Sequence, residues 1–339
     1  MKDVFFVNDA GQYSGVGVNS QLFINAVKEI VNVRVVNIKL HKKIDLIPGE
    51  IRDRSYTSYI NINRALASLK RVTVDQSYTT VYSDATSIFY AKPLKGIVFF
   101  HHANLFTNPK GYPFSQKFAL RIILKKLEKV DRIVTLSNFT KKTLQVHTKL
   151  NNIKVIPPYV SMPLPDAELV KKYRNIFKPP IVLAVGTSIK MKNFITLYNA
   201  LSGTELTIVR VGGKKTSEVP SNVKFLGEGN LSPIEMSSIY AAADLLAFTS
   251  FDEGFGRPLI EAMSLGLPIV ANRCTSVPEI VGEAGLLVKN PFDSNELRES
   301  IFKALDDKTE LSKKSYERAR LFSKKRYIKD MENLLDDLE

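Results

Sequence analysis

The sequence predicts an α/β protein of two domains, each a doubly wound parallel sheet with helices on both faces. Short, near-continuous apolar runs alternate with helical segments along most of the chain, the pattern of strands covered on both sides. The 339 residues suffice for two domains with a core each. A proline-rich stretch, IPPYVSMPLPDAE (156–168), lies near the middle and reads as a stiff, extended linker. The expected organisation is a first domain over 1–165, a second over 166–318, and a C-terminal helix over 319–339 that packs back toward the first.

In the second half, strands are expected at 181–186, 204–212, 223–227, 244–250, 267–272 and 284–289. The helix at 231–243 has Ser232 as N-cap and Pro233 at its first position. The helix at 257–266 starts at Pro258 and stops at Gly266, and a third covers 293–307. In the first half the alternation gives strands at 3–7, 31–38, 79–83, 96–101, 131–136 and 153–157. It gives helices at 16–29, 114–129 and 138–147, with 41–70 ambiguous. The last stretch, 311–339, is long, helical in pattern and highly charged.

A composition of 44% hydrophobic and 24% charged residues excludes collagen-like, disulfide-rich and wholly disordered chains. No run of about 18 apolar residues occurs, and MKDVFFVNDAGQY reads as a first strand rather than a signal segment. The single cysteine, Cys274, allows neither an internal disulfide nor a cysteine metal cluster and reads as a packed small residue. A cytoplasmic protein, peripheral on the inner membrane face, is expected. Charge is unevenly placed. Residues 1–165 hold 24 Lys and Arg against 10 Asp and Glu, whereas 166–339 hold 24 of each. The whole net charge of +14 sits in the first half, which points to an anionic partner or serves solubility. Within it, the helix over 114–132 carries Lys117, Arg121, Lys125, Lys126, Lys129 and Arg132, with Phe118, Ile122, Ile123, Leu127 and Val130 on another face. Such a helix either lies on anionic lipid or faces the core with a solvated basic side. The basic residues lack interleaved aromatics, so nucleic acid is not expected.

The most informative segment is SFDEGFGRPLIEAMSLGLPIVA (250–271). A strand ends at Ser250, a loop with Gly254 and Gly256 follows, and a helix begins at Pro258. Unpaired N–H groups and the dipole at a helix start favour an anion. Glu253 precedes the helix and Glu261 lies one turn inside it, so the two could reach opposite ends of a ligand lying across the helix start. They could equally be a loop glutamate and a surface glutamate.

The stretch from Glu253 to Leu297 resembles the donor-site signature of retaining glycosyltransferases of family 4, which have the GT-B fold. Glu253 and Glu261 match the family's two glutamates with seven residues between them. Pro278, Glu279, Ile280 and the run from Gly285 to Val288 match its PEI-then-GLLV pattern. AVGTSIKMKNF (184–194) is similar to the family's phosphate turn, with Lys190 and Lys192 as its cations. SGVGVNSQLF (14–23) resembles the amino-terminal glycine loop through Gly15 and Gly17, and IVFFHHANL (97–105) places His101 at the family histidine. Thr187 and Ser188 stand where many members have an arginine, His102 replaces an aspartate, and Arg257 stands where leucine is common.

The resemblance implies a GT-B protein with two Rossmann-like domains facing a central cleft. It implies a retaining, metal-independent transfer from a UDP- or GDP-linked sugar, a co-substrate rather than a cofactor, to a glycan or lipid-linked acceptor. Glu261 would bond the ribose. Lys192, Arg257 and the backbone around Gly254, Phe255 and Gly256 would meet the diphosphate. Glu253 would orient sugar hydroxyls, and His101 would approach the sugar or acceptor from across the cleft. Two other readings stay open: a nucleotide-sugar epimerase on the same fold, and an inactive anion-binding module. No Asp-x-Asp or other metal-ligand pair is present.

Overall fold

The computed structural model describes residues 3–8, 15–38, 44–45, 72–74, 77–89, 91–92, 96–101, 103–107, 114–213, 219–227 and 231–338. Ser14, His102 and most of the ambiguous 41–70 stretch lie outside them. The chain forms two compact units, Met1–Tyr159 with Lys324–Glu339, and Val160–Ser323.

The first unit contains β1 (Val4–Asn8), β2 (Val33–Ile38), β3 (Ile44–Asp45), β4 (Val72–Thr73), β5 (Thr79–Tyr82), β6 (Ala91–Lys92), β7 (Ile97–Phe100), β8 (Arg132–Thr135) and β9 (Ile153–Val155). Its main sheet runs β3-β2-β1-β5-β7-β8-β9. All pairings are parallel except β3 against β2. β4 and β6 form a separate parallel pair. The helices are α1 (Gly15–Val27), α2 (Asn104–Thr107), α3 (Phe114–Leu127) and α4 (Asn138–His147). Buried Val7, Tyr82, Val98, Ile123, Leu127, Ile133 and Leu144 knit sheet and helices together. On α3, Arg121 and Lys125 are exposed as their spacing suggests. Phe118, expected on the apolar face, is instead 47% exposed: it sits on the side opposite Ile123 and Leu127.

The second unit contains β10 (Ile181–Val185), β11 (Thr207–Val211), β12 (Val223–Leu226), β13 (Leu245–Phe248), β14 (Ile269–Asn272) and β15 (Gly285–Val288). Its helices are α5 (Ala167–Phe177), α6 (Phe194–Leu201), α7 (Pro233–Ala242), α8 (Arg257–Ser264), α9 (Val277–Val281), α10 (Ser294–Asp306) and α11 (Lys308–Ala319). The sheet order is β12-β11-β10-β13-β14-β15, parallel throughout. The chain therefore leaves β10 toward β11 on one side and later returns through β13 on the other. The carboxyl ends of β10 and β13 form the switch point where such sheets bind ligands. Leu197, Ala200 and Leu201 of α6 and Leu297, Ile301 and Ala304 of α10 pack on Ala184, Ile208 and Ala247. Ser232 and Glu235 close a capping box at α7. Asp293 caps α10 through the Asn295 and Glu296 N–H groups.

The boundaries differ from those expected at 165 and 318. Val160 N already donates to Phe322 O (3.0 Å), which ties the proline-rich stretch to the second unit. Within that stretch Asp166 caps α5, a helix the prolines conceal. The charged C-terminal segment is two helices, because Ser323 takes an extended conformation after a 3-10 turn at Arg320–Phe322. The last helix, α12 (Lys324–Asp336), belongs to the first unit and lies against α1. It is held there by Lys324–Glu29 and Lys154–Asp337 ion pairs and by the Tyr159 and Tyr327 rings, 5.3 Å apart.

Asp244 is a junction of the second unit. Its carboxylate accepts from Ile181 N (2.8 Å), Lys308 Nζ (2.6 Å) and Arg174 Nη1 (3.3 Å), joining the start of β10 to α5 and α11. Burial alone would raise its pKa. The bonds from Lys308 and Ile181 and the nearby cations outweigh burial and hold it below the ordinary value. Because the folded-state pKa is depressed, the stabilisation is complete above the unfolded value and is lost as pH falls through the folded one. Asp244→Asn should cost about 2 kcal/mol at neutral pH. Thermal melts should show the gap between wild type and variant closing below pH 4.

Candidate functional site

Two segments meet at the switch point of the second unit. β10 ends in a turn that leads to a 3-10 helix at Lys190–Lys192 and then to α6. β13 ends in Thr249–Gly256, which leads to α8. One hydroxyl and one backbone bond lace them together: Thr249 Oγ1 donates to Lys192 O (2.7 Å) and Phe251 N to Met191 O (3.0 Å). The segment after β14 supports the same loop. Thr275 Oγ1 accepts from Glu253 N (3.0 Å), Ser276 Oγ donates to Glu253 O (3.0 Å), and Asn272 Nδ2 donates to Thr249 O (2.5 Å). Both carbonyl and N–H of Glu253 are thus fixed, and its side chain starts from a rigid base.

That side chain forms an ion pair with Lys192 Nζ. The lysine ammonium also sits over the Phe248 ring, 5.5 Å from its centroid. Both partners are mostly buried, with side chains 18% and 15% exposed. Taking both charges out of water costs about as much as their attraction returns, so such a pair is weak evidence for stability. A second pair lies in the first turns of α8. Arg257 Nη2 donates to Glu261 Oε1 (3.0 Å), and Tyr240 Oη on α7 donates to Oε2 (2.9 Å). Burial, then the adjacent Glu261 charge, raises the Tyr240 pKa well above its ordinary value, so the phenol stays a donor. Each Glu261 oxygen holds one bond and has lone pairs for another.

Gly256 allows α8 to start so abruptly. Its φ of +94° lies in the left-handed region, and a Cβ there would come within 2.9 Å of Leu259 Cδ1 and 3.3 Å of Phe248 Cζ. Gly254 and Phe255 are buried beside it. The Phe255 ring packs edge-on against Phe322, centroids 5.8 Å apart, which leaves its backbone rather than its ring for any ligand.

The structure therefore joins Glu253 with Lys192 and Glu261 with Arg257, at neighbouring positions of one loop and helix. Lys190 is exposed and takes part in neither pair. The remaining candidates lie in the first unit. Gly15 and Gly17 form the first turn of α1, after the carboxyl end of β1. His101 follows β7 and is buried. Its Nε2 lies 2.7 Å from Ser83 O and so carries the proton, which leaves Nδ1 to accept from Asn19 Nδ2 (3.3 Å) on α1. The ring is thereby tied to the helix that Gly15 opens. Among the described residues no group of three or more His, Cys, Asp or Glu is arranged to hold a metal ion, and no helix is long and apolar enough to cross a membrane.

Sequence reasoning missed Tyr240, Thr249, Thr275 and Ser276. Tyr240 sits in MSSIYAAA, where an aromatic reads as core. It is core, and only its hydroxyl is polar. The hydroxyls of Thr249, Thr275 and Ser276 act on backbone groups brought together by the sheet order, which no local spacing reveals.

Residues 166–322 match the model of a family described as Glycosyl transferases group 1. O-antigen chain mannosyltransferase B of Escherichia coli is 45% identical over 73 residues, 22% of this chain and 19% of that protein. The chain thus aligns with about a fifth of that relative. Among solved structures, sucrose-phosphate synthase from Thermosynechococcus elongatus superposes with a TM-score of 0.78 at 18% identity, covering 100% of this chain and 99% of that one. Anabaena Alr3699/HepE in complex with UDP-glucose gives 0.70 at 17% identity, covering 99% and 100%. At such identities the likeness concerns fold, and the fold is GT-B: two Rossmann-like doubly wound sheets, as the sequence predicted.

Replacing Tyr240 by phenylalanine removes one bond to a carboxylate without changing packing volume. Tyr240→Phe should lower stability by about 1.5–2 kcal/mol, read as a lower melting temperature with an unchanged far-UV spectrum.

Proposed function

We propose that this chain, whose residues 166–322 form a glycosyl transferases group 1 domain, moves a sugar from a nucleotide-sugar donor to an acceptor with retention of configuration, and that it belongs to family 4. The observation that carries the reading is the pairing of both candidate glutamates with candidate cations, Glu253 with Lys192 and Glu261 with Arg257, at the ligand-binding end of the sheet. A diphosphate entering there gives both cations a stronger partner and releases the carboxylates to hydroxyl groups. Lys192, with Lys190 in reserve at the rim, takes the diphosphate as charge develops on it. Arg257 and the backbone of Gly254, Phe255 and Gly256 line the same path. Glu261 accepts from ribose hydroxyls and Glu253 from hydroxyls of the transferred sugar. In the first unit, the loop with Gly15 and Gly17 would approach the donor phosphates, and His101 the sugar or acceptor. The leaving phosphate itself helps to deprotonate the acceptor, and no protein nucleophile is assigned.

A mannosyltransferase among the relatives and a fold neighbour holding UDP-glucose support a hexose linked to UDP or GDP. No metal is needed in this scheme, since Lys192 and Arg257 supply the positive charge. The test is incubation with UDP- and GDP-linked hexoses and a mixture of glycan and lipid-linked acceptors, after EDTA treatment and gel filtration. Nucleoside diphosphate release coupled to sugar transfer is expected. Activity abolished by EDTA and restored by Mg²⁺ or Mn²⁺ would refute metal independence. Isomerisation of the donor sugar would select an epimerase instead.

The first unit adds a partner. Arg121, Lys125 and Lys129 are exposed along α3 and just beyond it, with Phe118 exposed one turn before Arg121. We read this face as contacting an anionic membrane that carries a lipid-linked acceptor. Each such residue near the surface contributes about 1 kcal/mol, and the attraction decays over about 8 Å at physiological salt. Vesicles with 30% phosphatidylglycerol should sediment the protein at low salt and release it as salt rises. Glutamine at positions 117, 121, 125 and 126 together should weaken this. Equal binding to neutral phosphatidylcholine vesicles, or none to either, would contradict it.

A further inference from the structure

β11 carries a residue that its neighbours do not explain. In TIVRV (207–211) an arginine stands among apolar residues, and Arg210 is only 1% exposed. Its guanidinium sits over the Phe194 ring at the start of α6, Cζ 3.2 Å from the centroid. Nη2 donates to Gly186 O (3.3 Å) and Gly212 O (3.1 Å). Nε and Nη1 have no hydrogen-bond partner among the described residues. The Tyr198 hydroxyl is nearby, and burial depresses the arginine's pKa while Tyr198 opposes that effect. An arginine does not lose its proton in a protein. No ion pair with a carboxylate forms among the described residues. A cation buried without an anion is strongly unfavourable, and folds keep one only where something else balances it.

Its position shows what that is. One carbonyl it holds belongs to Gly186, the residue that follows β10 and opens the turn to Lys192. The aliphatic stem of Lys192 packs on the same glycine: a Cβ there would lie 3.3–3.6 Å from Lys192 Cε, Cδ and Cγ. Gly212, the other carbonyl partner, has a φ of +86°, and a Cβ on it would approach Gly186 O to 3.0 Å. The turns after β10 and β11 thus touch backbone to backbone, with Arg210 pinning both carbonyls. Two cations, one from β11 and one from the 3-10 helix after β10, converge on one glycine, and of the two only Lys192 has a carboxylate partner among the described residues.

We propose that Arg210 is a positioning residue of the diphosphate site: it fixes the turns at Gly186 and Gly212 and supplies a buried positive charge that the donor's diphosphate balances. The inference rests on the nucleotide-sugar reading of this site and adds a residue to it. The diphosphate would share the two cations, Lys192 by direct contact and Arg210 through the low-dielectric layer of the turn, where charge interactions are strong. The ligand-free protein carries the unbalanced charge as a cost, and ligand binding removes it.

Calorimetric titrations of UDP, GDP, uridine and guanosine into wild type, Arg210→Met and Arg210→Gln test this. Methionine fills the space without charge. Glutamine keeps an amide donor for the carbonyls but not the charge, and it serves if the methionine variant does not fold. Whichever nucleoside diphosphate the wild type binds should bind about tenfold more weakly to both variants. The matching nucleoside should change less than twofold. The melting temperature of ligand-free Arg210→Met should be equal to wild type or higher. Equal losses for nucleoside and diphosphate, or an unchanged diphosphate affinity, would overturn the proposal while leaving the donor site intact. A wild type that binds neither diphosphate would overturn the donor-site reading and this inference with it.

Discussion

The ion pair between Lys192 and Glu253 is the interaction on which the site depends. It joins the carboxyl ends of β10 and β13, strands that are neighbours in the sheet although β11 and β12 intervene in the chain. Only the reversal of strand order at this point can bring a lysine after the first strand of the unit against a glutamate after the fourth. The surrounding hydroxyl-to-carbonyl bonds hold both backbones so that the two side chains meet on fixed supports. Since burying such a pair yields little net stability, its geometry is better explained by what can replace it. On the proposed function, a diphosphate would compete for the lysine with two charges, and hydroxyl groups would suit the released carboxylate.

Arg257 and Glu261 repeat the arrangement one turn further on, with a difference that matters. Tyr240 secures the second carboxylate oxygen from α7, a helix with its own capping box. Glu261 is therefore held in place even when Arg257 turns to another partner, whereas Glu253 relies on its fixed backbone. One carboxylate is anchored and the other can move. Under the proposed function that division would suit a ligand with an invariant end, the ribose, and a reacting end, the sugar. The proposed role of Arg210 completes the electrostatics, because it adds positive charge beneath the turn without adding a carboxylate that would compete with the ligand.

Much of this was legible from residues. The apolar runs located β10, β13 and β14, because strands covered on both faces need no polar residue. Glu253, Gly256 and Glu261 stood out because a glycine loop running into a helix is a local pattern. What stayed hidden depends on non-local contacts. The helix α5 was masked by the prolines before it, and its cap at Asp166 matters because Asp166 N bonds Ser238 Oγ from α7 (2.9 Å). The C-terminal segment reads as one helix on charge and spacing, yet it divides at Ser323, where the chain passes from one unit to the other. Arg210 carries a signal in the sequence itself: a single cation flanked by valines within a strand is seldom a solvated face. The family resemblance already favours Lys192 over Lys190 for the diphosphate, and the structure adds that the Lys190 side chain is exposed while that of Lys192 reaches Glu253.

The most direct measurement is the affinity of Lys192→Met for UDP and GDP beside that of the wild type, with uridine and guanosine as controls. Loss of a charge-assisted contact worth about 1.5–3 kcal/mol should weaken the bound diphosphate roughly ten- to hundredfold. Nucleoside affinity should stay as in the wild type, with Glu253 left as a lone carboxylate at the site. A Lys192→Met protein that is folded and binds the diphosphate as tightly as wild type would contradict the placement of the donor at this switch point.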